Sequence, residues 1–215
     1  MGLIRTIKNH LRDGALHRWL QRRKDQKELD AWEKSGRPQP PPQPFKKKLV
    51  RDIARRYGTR VLVETGTNWG NTVASSLGAF DVIYSIELFD ELYEKAVRRF
   101  ARHPKVKLRH GDSAHELPRI LDELREPALF WLDAHYSGDD TARADVDTPI
   151  VQELNTISTH PEQRHVILID DARLFDGTNG YPTMEGCRTV AVTFWPEHEF
   201  RVAEDVIVIT PRSKA

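Results

Sequence analysis

The sequence predicts an α/β protein with a doubly wound, mostly parallel sheet that ends in an antiparallel hairpin. Short apolar runs alternate with segments of helical periodicity over most of the chain, a pattern typical of parallel strands joined by crossover helices. A glycine-rich turn follows the first of these runs, at 61–65. Two apolar runs joined at Asp205 close the chain between His198 and Pro211, and they suit a hairpin.

Residues 1–36 are predicted to form a basic helical arm, and residues 37–44 (RPQPPPQP) a proline-rich linker that runs as extended polyproline. Apolar residues within 3–20 recur at three- and four-residue steps and share one helix face. Residues 1–48 hold 13 Lys and Arg against 5 Asp and Glu, whereas the remainder holds 20 against 27. Two interpretations of the arm stay open. It is a solvated helix, which can dock on a second subunit in a homo-oligomer, or it is a contact for a membrane surface. The acidic body argues against extended nucleic-acid contact.

Residues 45–215 are predicted to form the main domain. It begins with a helix at 45–57, which Gly58 ends, and then alternates between strands and helices. The predicted strands are 61–65, 82–87, 106–110, 129–133 and 166–170, and the predicted helices are 71–77, 91–101, 113–124, 149–158 and 187–194.

The composition is typical of a globular protein. A chain of 215 residues with 39% hydrophobic content can bury one substantial core. It has no apolar run near the roughly 20 residues of a membrane span, and its charged N-terminus does not resemble a secretory signal. The single cysteine, Cys187, fits a reducing compartment and is expected to be an ordinary helix residue. We therefore expect a cytoplasmic protein, with peripheral membrane contact open to the arm.

The stretch VLVETGTNWGNT, residues 61–72, predicts the start of a nucleoside site. The glycines Gly66 and Gly70 permit a tight turn and close approach of the backbone to a ligand. The next strand ends in Glu87, where a doubly wound sheet presents a carboxylate to ribose hydroxyls. Together the two features indicate a nucleoside-binding half-domain.

A second group of polar residues follows the fourth and fifth strands. Asp133 and His135 come two residues apart, and Asp170 and Asp171 follow a run of apolar residues. Clustered carboxylates repel one another unless a cation joins them, and oxygen ligands favour magnesium, calcium or manganese. His135 can serve as a general base, since an unperturbed histidine titrates near neutral pH. Each of these residues alone could instead be a helix cap, a turn residue or a structural histidine.

These motifs resemble class I S-adenosylmethionine (SAM)-dependent methyltransferases. The likeness is strongest to the metal-dependent O-methyltransferases of the macrocin type and more distant to the catechol type, and it covers residues 45–211. The motifs that carry it are ETGTNWGNT at 64–72, SIE at 85–87, GDS at 111–113, LDAHY at 132–136 and IDD at 169–171.

The resemblance implies a Rossmann-like fold and a role for each matching residue. The glycine-rich turn at Gly66 approaches the methionine part of the cofactor, Glu87 holds the ribose hydroxyls, and Asp112 faces the adenine amino group. The predicted cofactor-binding residues are Glu64, Gly66, Thr67, Asn68, Gly70, Glu87, Asp112 and Ser113. The predicted metal ligands are Asp133, Asp170 and Asp171. The chain departs from the family at Thr67, where a glycine is more usual, and at His135, where the macrocin branch often has an acidic residue.

The implied reaction is magnesium-assisted O-methylation of a small molecule or sugar, with Asp133 and His135 as catalytic residues. Two other functions stay open at this point. A nicotinamide-dependent oxidoreductase shares a ribose-binding glutamate, although the turn lacks the full G-x-G-x-x-G pattern. A non-catalytic Rossmann-like binding protein would keep the fold and use the basic arm for docking.

Overall fold

A computed structural model describes residues 15–133 and 149–212 of the chain. These residues form seven strands and seven α-helices. The strands are β1 Val61–Thr65, β2 Val82–Glu87, β3 Val106–His110, β4 Ala128–Leu132, β5 Val166–Ile169, β6 His198–Ala203 and β7 Val206–Pro211. The helices are α1 Ala15–Lys34, α2 Gln43–Tyr57, α3 Asn71–Ser76, α4 Asp90–Phe100, α5 Ser113–Glu123, α6 Ile150–Ser158 and α7 Met184–Phe194, with a 3₁₀ turn at Ala172–Leu174.

The strands form one sheet in the order β3-β2-β1-β4-β5-β7-β6. The first five strands run parallel, whereas β7 is antiparallel to both β5 and β6. The central strands β4 (ALFWL) and β5 (VILI) are buried along their whole length, as expected of apolar strands covered on both faces. The predicted doubly wound sheet with a C-terminal antiparallel hairpin is confirmed.

Successive side chains of a strand point to opposite faces of the sheet, and the buried ones form two hydrophobic clusters, one on each face. Val63 and Phe130 belong to the cluster that packs against α5, α6 and α7. Leu62 and Leu129 belong to the cluster that packs against α2, α3 and α4. Both faces are therefore covered by helices, which leaves the ends of the strands as the place for a ligand.

Element boundaries differ from the sequence predictions by a few residues at most in the sheet domain. Strands β4 and β5 each end one residue earlier than predicted, at Leu132 and Ile169. Helix α7 begins at Met184, one turn before the predicted start, because the Thr183 side chain caps it by accepting a hydrogen bond from the Gly186 amide at 3.0 Å.

Contacts divide the chain into two compact units, Met1–Lys48 and Leu49–Ala215. In the first unit, α1 continues beyond residue 20 through a polar segment of the predicted helical arm, where the apolar residues show no helical period. Side-chain pairs four residues apart support it, such as Gln21 with Asp25 and Gln26 with Asp30, each at 2.7 Å. Trp32 is buried in this unit against Phe45, and its indole donates to the carbonyl oxygen of Pro38 at 2.8 Å.

The predicted apolar stripe at 3–20 falls largely on residues 1–14, which lie outside the described residues. The predicted polyproline linker contains a cis peptide bond between Gln39 and Pro40, and helix α2 already begins at Gln43. Among the described residues, none of the helices is both long and apolar enough to span a membrane.

Candidate active site

The carboxyl ends of the parallel strands lie in register along one edge of the sheet, here called the carboxyl edge. Thr65 at the end of β1 pairs with Ile86 in β2 and with Leu132 in β4, and Leu132 pairs with Ile169 in β5. The residues that follow these strands therefore emerge side by side. The structure places these predicted site residues at or beside that edge: Glu64, Gly66, Thr67, Asn68, Gly70, Glu87, Asp112, Ser113, Asp133, Asp170 and Asp171.

The turn after β1 is built against the end of β2. The amides of Gly66 and Thr67 both donate to the carbonyl oxygen of Ile86 at 3.0 Å. The Asn68 amide donates to Glu87 Oε2 at 2.7 Å, and the Phe89 amide donates to Glu87 Oε1 at 2.9 Å. The Glu87 carboxylate is thus fixed between two loops as an oriented hydrogen-bond acceptor, which is the group that a ribose diol requires.

Gly66 and Gly70 adopt left-handed backbone conformations, with φ angles of 86° and 67°. At Gly70 a side chain is excluded for a second reason, since an added Cβ would lie 2.6 Å from Cε2 of Phe100. The glycines therefore let the turn bend sharply and seat helix α3 against α4.

Glu64 is a buried carboxyl directly beneath this turn, with 1% of its surface exposed. Burial raises its pKa to about 8, and the nearby Asp133 charge adds to the effect. The Ser85 hydroxyl donates to Glu64 Oε2 at 2.5 Å and acts in the opposite direction, while Thr67 Oγ1 lies 2.6 Å from Ser85 Oγ. At neutral pH Glu64 is therefore mostly a neutral acid within a hydrogen-bonded group of side chains.

Asp112 and Ser113 lie where β3 passes into α5. Asp112 caps the helix by accepting a hydrogen bond from the Ala114 amide at 2.9 Å, which holds its carboxylate at the carboxyl edge. Ser113 is buried beside it. Both the helix-cap role and a role toward a ligand fit this position, because a capping carboxylate has a second oxygen.

Glu153 is a buried carboxyl that the sequence predictions missed. It lies on α6 beside the side chains of Ser113 and Thr65, and burial raises its pKa to about 7. Its Oε1 and the Thr65 hydroxyl are both buried. One signal was present in the sequence, because Glu153 interrupts an apolar helix face with Ile150 and Leu154 as neighbours.

Three carboxylates meet at the ends of β4 and β5. One oxygen from each of Asp133, Asp170 and Asp171 lies within 4.8 Å of the others. Backbone hydrogen bonds place them, because the Asp133 amide donates to the Thr65 carbonyl at 3.2 Å and the Asp170 amide donates to the Leu132 carbonyl at 3.0 Å. The Asp171 amide donates to Asp170 Oδ1 at 2.8 Å.

This arrangement fits a hard divalent cation. Two oxygens bound to one ion at 2.0–2.6 Å can be at most about 4 to 5 Å apart, as the three carboxylates are. At an effective dielectric constant of about 20, two unit charges at the 4.8 Å limit repel by roughly 3 kcal/mol. Arg173 offsets part of this repulsion by pairing with Asp171. A cation bound by the all-oxygen donor set would offset more of it, and such a set favours magnesium, calcium or manganese over zinc.

Two further charged residues at this cluster were missed in the sequence. Arg173, in the 3₁₀ turn after β5, pairs with Asp171 and with Asp205, which lies in the turn between β6 and β7. From the sequence, Asp205 is expected only to join the two strands of the hairpin. Both are placed by tertiary structure, and spacing along the chain gave no sign of their contact.

Other candidate residues lie apart from this edge or outside the described part. The predicted base His135 lies outside the described residues. Cys187 is buried in α7, and burial raises the pKa of its thiol to about 12, as expected of a structural cysteine. Tyr181, in the loop before α7, packs edge-on against Phe175 with ring centroids 5.3 Å apart.

No protein-family model matches the chain, and no curated protein matches it. Solved structures do. An O-methyltransferase from Bacillus cereus in complex with SAH is 16% identical, with 86% of this chain and 90% of that chain covered and a TM-score of 0.59. The O-methyltransferase TomG from Streptomyces achromogenes, involved in tomaymycin synthesis and solved with SAM, is 16% identical over 87% and 89% of the two chains, with a TM-score of 0.55.

The chain has the Rossmann-like fold of these methyltransferases. SAH-bound PaMTH1 from Podospora anserina gives the same result, at 16% identity, 86% and 88% coverage and a TM-score of 0.55. Identities this low show the fold alone, so the function has to be argued from the carboxyl edge itself.

Proposed function

We propose that the protein is a SAM-dependent methyltransferase that methylates a hydroxyl group of a small molecule or sugar with the help of a divalent cation. The observation that carries the proposal is the pairing of two sites on one carboxyl edge. Glu87, oriented by two backbone amides, and Asp112, which caps α5, would form a nucleoside site at the ends of β2 and β3. The cluster of Asp133, Asp170 and Asp171 lies at the ends of β4 and β5, with β1 between the two sites. The structural neighbours with bound SAM or SAH support the choice of cofactor.

The groups that the nucleoside site offers fit the cofactor. Glu87 presents a carboxylate held by two backbone amides, which suits two ribose hydroxyls as donors. Asp112 offers a carboxylate at the end of the neighbouring strand, which suits the adenine amino group as a donor. Gly66 itself has no side chain that could block the methionine end of the cofactor.

When bound, SAM supplies an electrophilic methyl group and a divalent cation supplies Lewis acidity that lowers the pKa of a hydroxyl. The protein itself would hold the two reactants in line, and such positioning can lower the activation free energy by roughly 7 to 11 kcal/mol. Asp133, Asp170 and Asp171 would hold the cation, and Glu87 and Asp112 would hold the nucleoside. His135 stays the predicted base, assigned from its place two residues after Asp133.

The first test is calorimetric titration of the full chain with SAM, with and without magnesium. Glu87→Ala should weaken binding by about 10- to 100-fold, since a hydrogen bond to a charged group contributes about 1.5 to 3 kcal/mol. Glu94→Ala is the matched control, because Glu94 is an exposed glutamate on α4 that pairs with Arg98 in the next turn. The control should bind as the wild type does.

The other outcomes identify the alternatives. Wild-type protein that binds no SAM in either condition would overturn the proposal, and binding of a nicotinamide dinucleotide instead would indicate an oxidoreductase. If SAM binds tightly, a screen of hydroxyl acceptors for methyl transfer follows. Turnover that is unchanged after removal of divalent cations would refute the cation-assisted form of the reaction.

A further inference from the structure

Arg173 connects the carboxylate cluster to the turn between β6 and β7. Its Nη1 donates to Asp171 Oδ1 at 2.8 Å and also donates to the carboxylate of Asp205. The Arg173 amide donates to Asp205 Oδ1 at 2.8 Å, and the Ala172 amide donates to the Asp205 carbonyl oxygen at 2.8 Å. Asp205 is buried, with 2% of its surface exposed. The loop that carries Asp171 is therefore attached to the hairpin turn by both backbone and side-chain bonds.

Asp171 needs such support. Its backbone is left-handed, with φ at 55° and ψ at 48°, a region that aspartate tolerates but that few residues favour. A carboxylate ligand must also present one particular oxygen to an ion. Because the guanidinium of Arg173 binds Oδ1, it sets the rotation of the carboxylate and thereby the direction of the second oxygen. Partners of this kind orient metal ligands in many proteins.

We propose that Arg173 is a positioning residue for the cation ligand Asp171, and that Asp205 holds Arg173 in place. The inference rests on the cation site of the proposed function. It does not depend on the identity of the methyl acceptor. Asp205 is a partner of Arg173 in this arrangement rather than a fourth ligand, since its carboxylate accepts from both the amide and the guanidinium of Arg173.

Charge and orientation have to be separated in the test. The positive charge of Arg173 repels a divalent cation, so its loss alone should tighten binding if charge decides the affinity. The negative charge of Asp205 acts in the opposite direction. The double variant Arg173→Gln with Asp205→Asn removes one charge of each sign, so the net charge at the site is unchanged and only the orientation of Asp171 is lost.

The experiment measures the affinity of the full chain for Mn²⁺ and Mg²⁺ by calorimetry, without acceptor. The double variant should bind the cation about 10- to 100-fold more weakly, the usual cost of removing a partner of a metal ligand. Arg173→Lys keeps the charge and one donor to Asp171, so it should lose less than the double variant. Arg188→Gln is the matched control and should bind like wild type, because the Arg188 guanidinium is similarly exposed but pairs with Glu185 on α7.

SAM affinity and thermal unfolding are measured on the same samples. SAM affinity should stay close to wild type in the double variant, and thermal unfolding shows that the variant is folded. Unchanged cation affinity in the folded double variant would overturn the positioning role. If the double variant does not fold, Arg173→Gln decides, since weaker cation binding supports positioning and tighter binding refutes it. Wild-type protein that binds SAM but no divalent cation would overturn this inference and the cation part of the proposed function, while leaving methyl transfer itself standing.

Discussion

Replacing Glu64 with glutamine should make the stability of the protein less dependent on pH. Glu64 is buried under the glycine-rich turn, and burial raises its pKa to about 8 from the ordinary value of 4.5. Between these two pH values the folded state holds a proton that the unfolded state releases. Stability from this group is therefore complete below pH 4.5 and is lost as the pH rises toward 8.

The magnitude follows from the size of the shift. Each pKa unit corresponds to 1.36 kcal/mol, so raising the pH from 5 to 8 should cost the wild type roughly 4 kcal/mol through Glu64 alone. Glutamine has nearly the same shape and can still accept the hydrogen bond that Ser85 donates to Glu64 at 2.5 Å. Because glutamine does not titrate, the Glu64→Gln variant should avoid this loss and be more stable than wild type at pH 8 by a few kcal/mol.

The assay is urea denaturation at several pH values between 5 and 8.5, with a chelator present so that bound cations do not contribute. Other buried groups titrate in this range, so the informative quantity is the difference in unfolding free energy between variant and wild type. Glu94→Gln, which changes an exposed glutamate on α4, is the control. A difference that does not change with pH for Glu64→Gln would refute the assignment of Glu64 as a neutral buried acid.

Three further predictions concern other parts of the structure. Burial lowers the pKa of His165 to about 4, so its contribution to stability is complete above the unfolded pKa of 6.5 and is lost as the pH falls toward 4. Between pH 7 and pH 5, urea denaturation should show the unfolding free energy of the wild type fall by about 2 kcal/mol, and His165→Gln should lack this loss. Gly70→Ala should lower the unfolding free energy by about 1 to 3 kcal/mol in the same assay, because its Cβ would lie 2.6 Å from Cε2 of Phe100. Asp133→Asn should weaken cation binding at least about tenfold and lower turnover to match, with SAM affinity nearly unchanged in calorimetry; equal loss of both affinities would argue against a role at the cation.

The sheet could be predicted because its strands carry a strong local signal. Buried parallel strands require nearly continuous apolar residues, and β4 and β5 have them. Helix α1 lies within the predicted helical arm, but beyond residue 20 the apolar pattern gives no local signal for it. Its polar part has no apolar face, and contacts such as Gln21 with Asp25 at 2.7 Å support it without leaving a hydrophobic period in the sequence.

The candidate site was predictable where strand order alone brings residues together. Carboxylates that end neighbouring parallel strands must lie near one another, so Asp133, Asp170 and Asp171 could be grouped before the fold was known. Glu153 could not be placed this way. It lies on a helix, and its position beside Thr65 depends on how α6 packs against the sheet.

The antiparallel hairpin explains how a residue of the turn between β6 and β7 can reach the loop that carries Asp171. Strand β7 runs antiparallel to β5, with Ile207 opposite Ile169, so the start of β7 lies level with the end of β5. The turn that precedes β7 therefore lies at the carboxyl edge, and Asp205 meets Arg173 there. A further parallel strand in place of β7 would begin at the opposite edge, and the residue before it could not reach Arg173. The direction of this one strand thus brings Asp205 to the support of Asp171. Lengthening the turn at Asp205 should therefore lower the cation affinity, measured by calorimetry, although no cation ligand is changed.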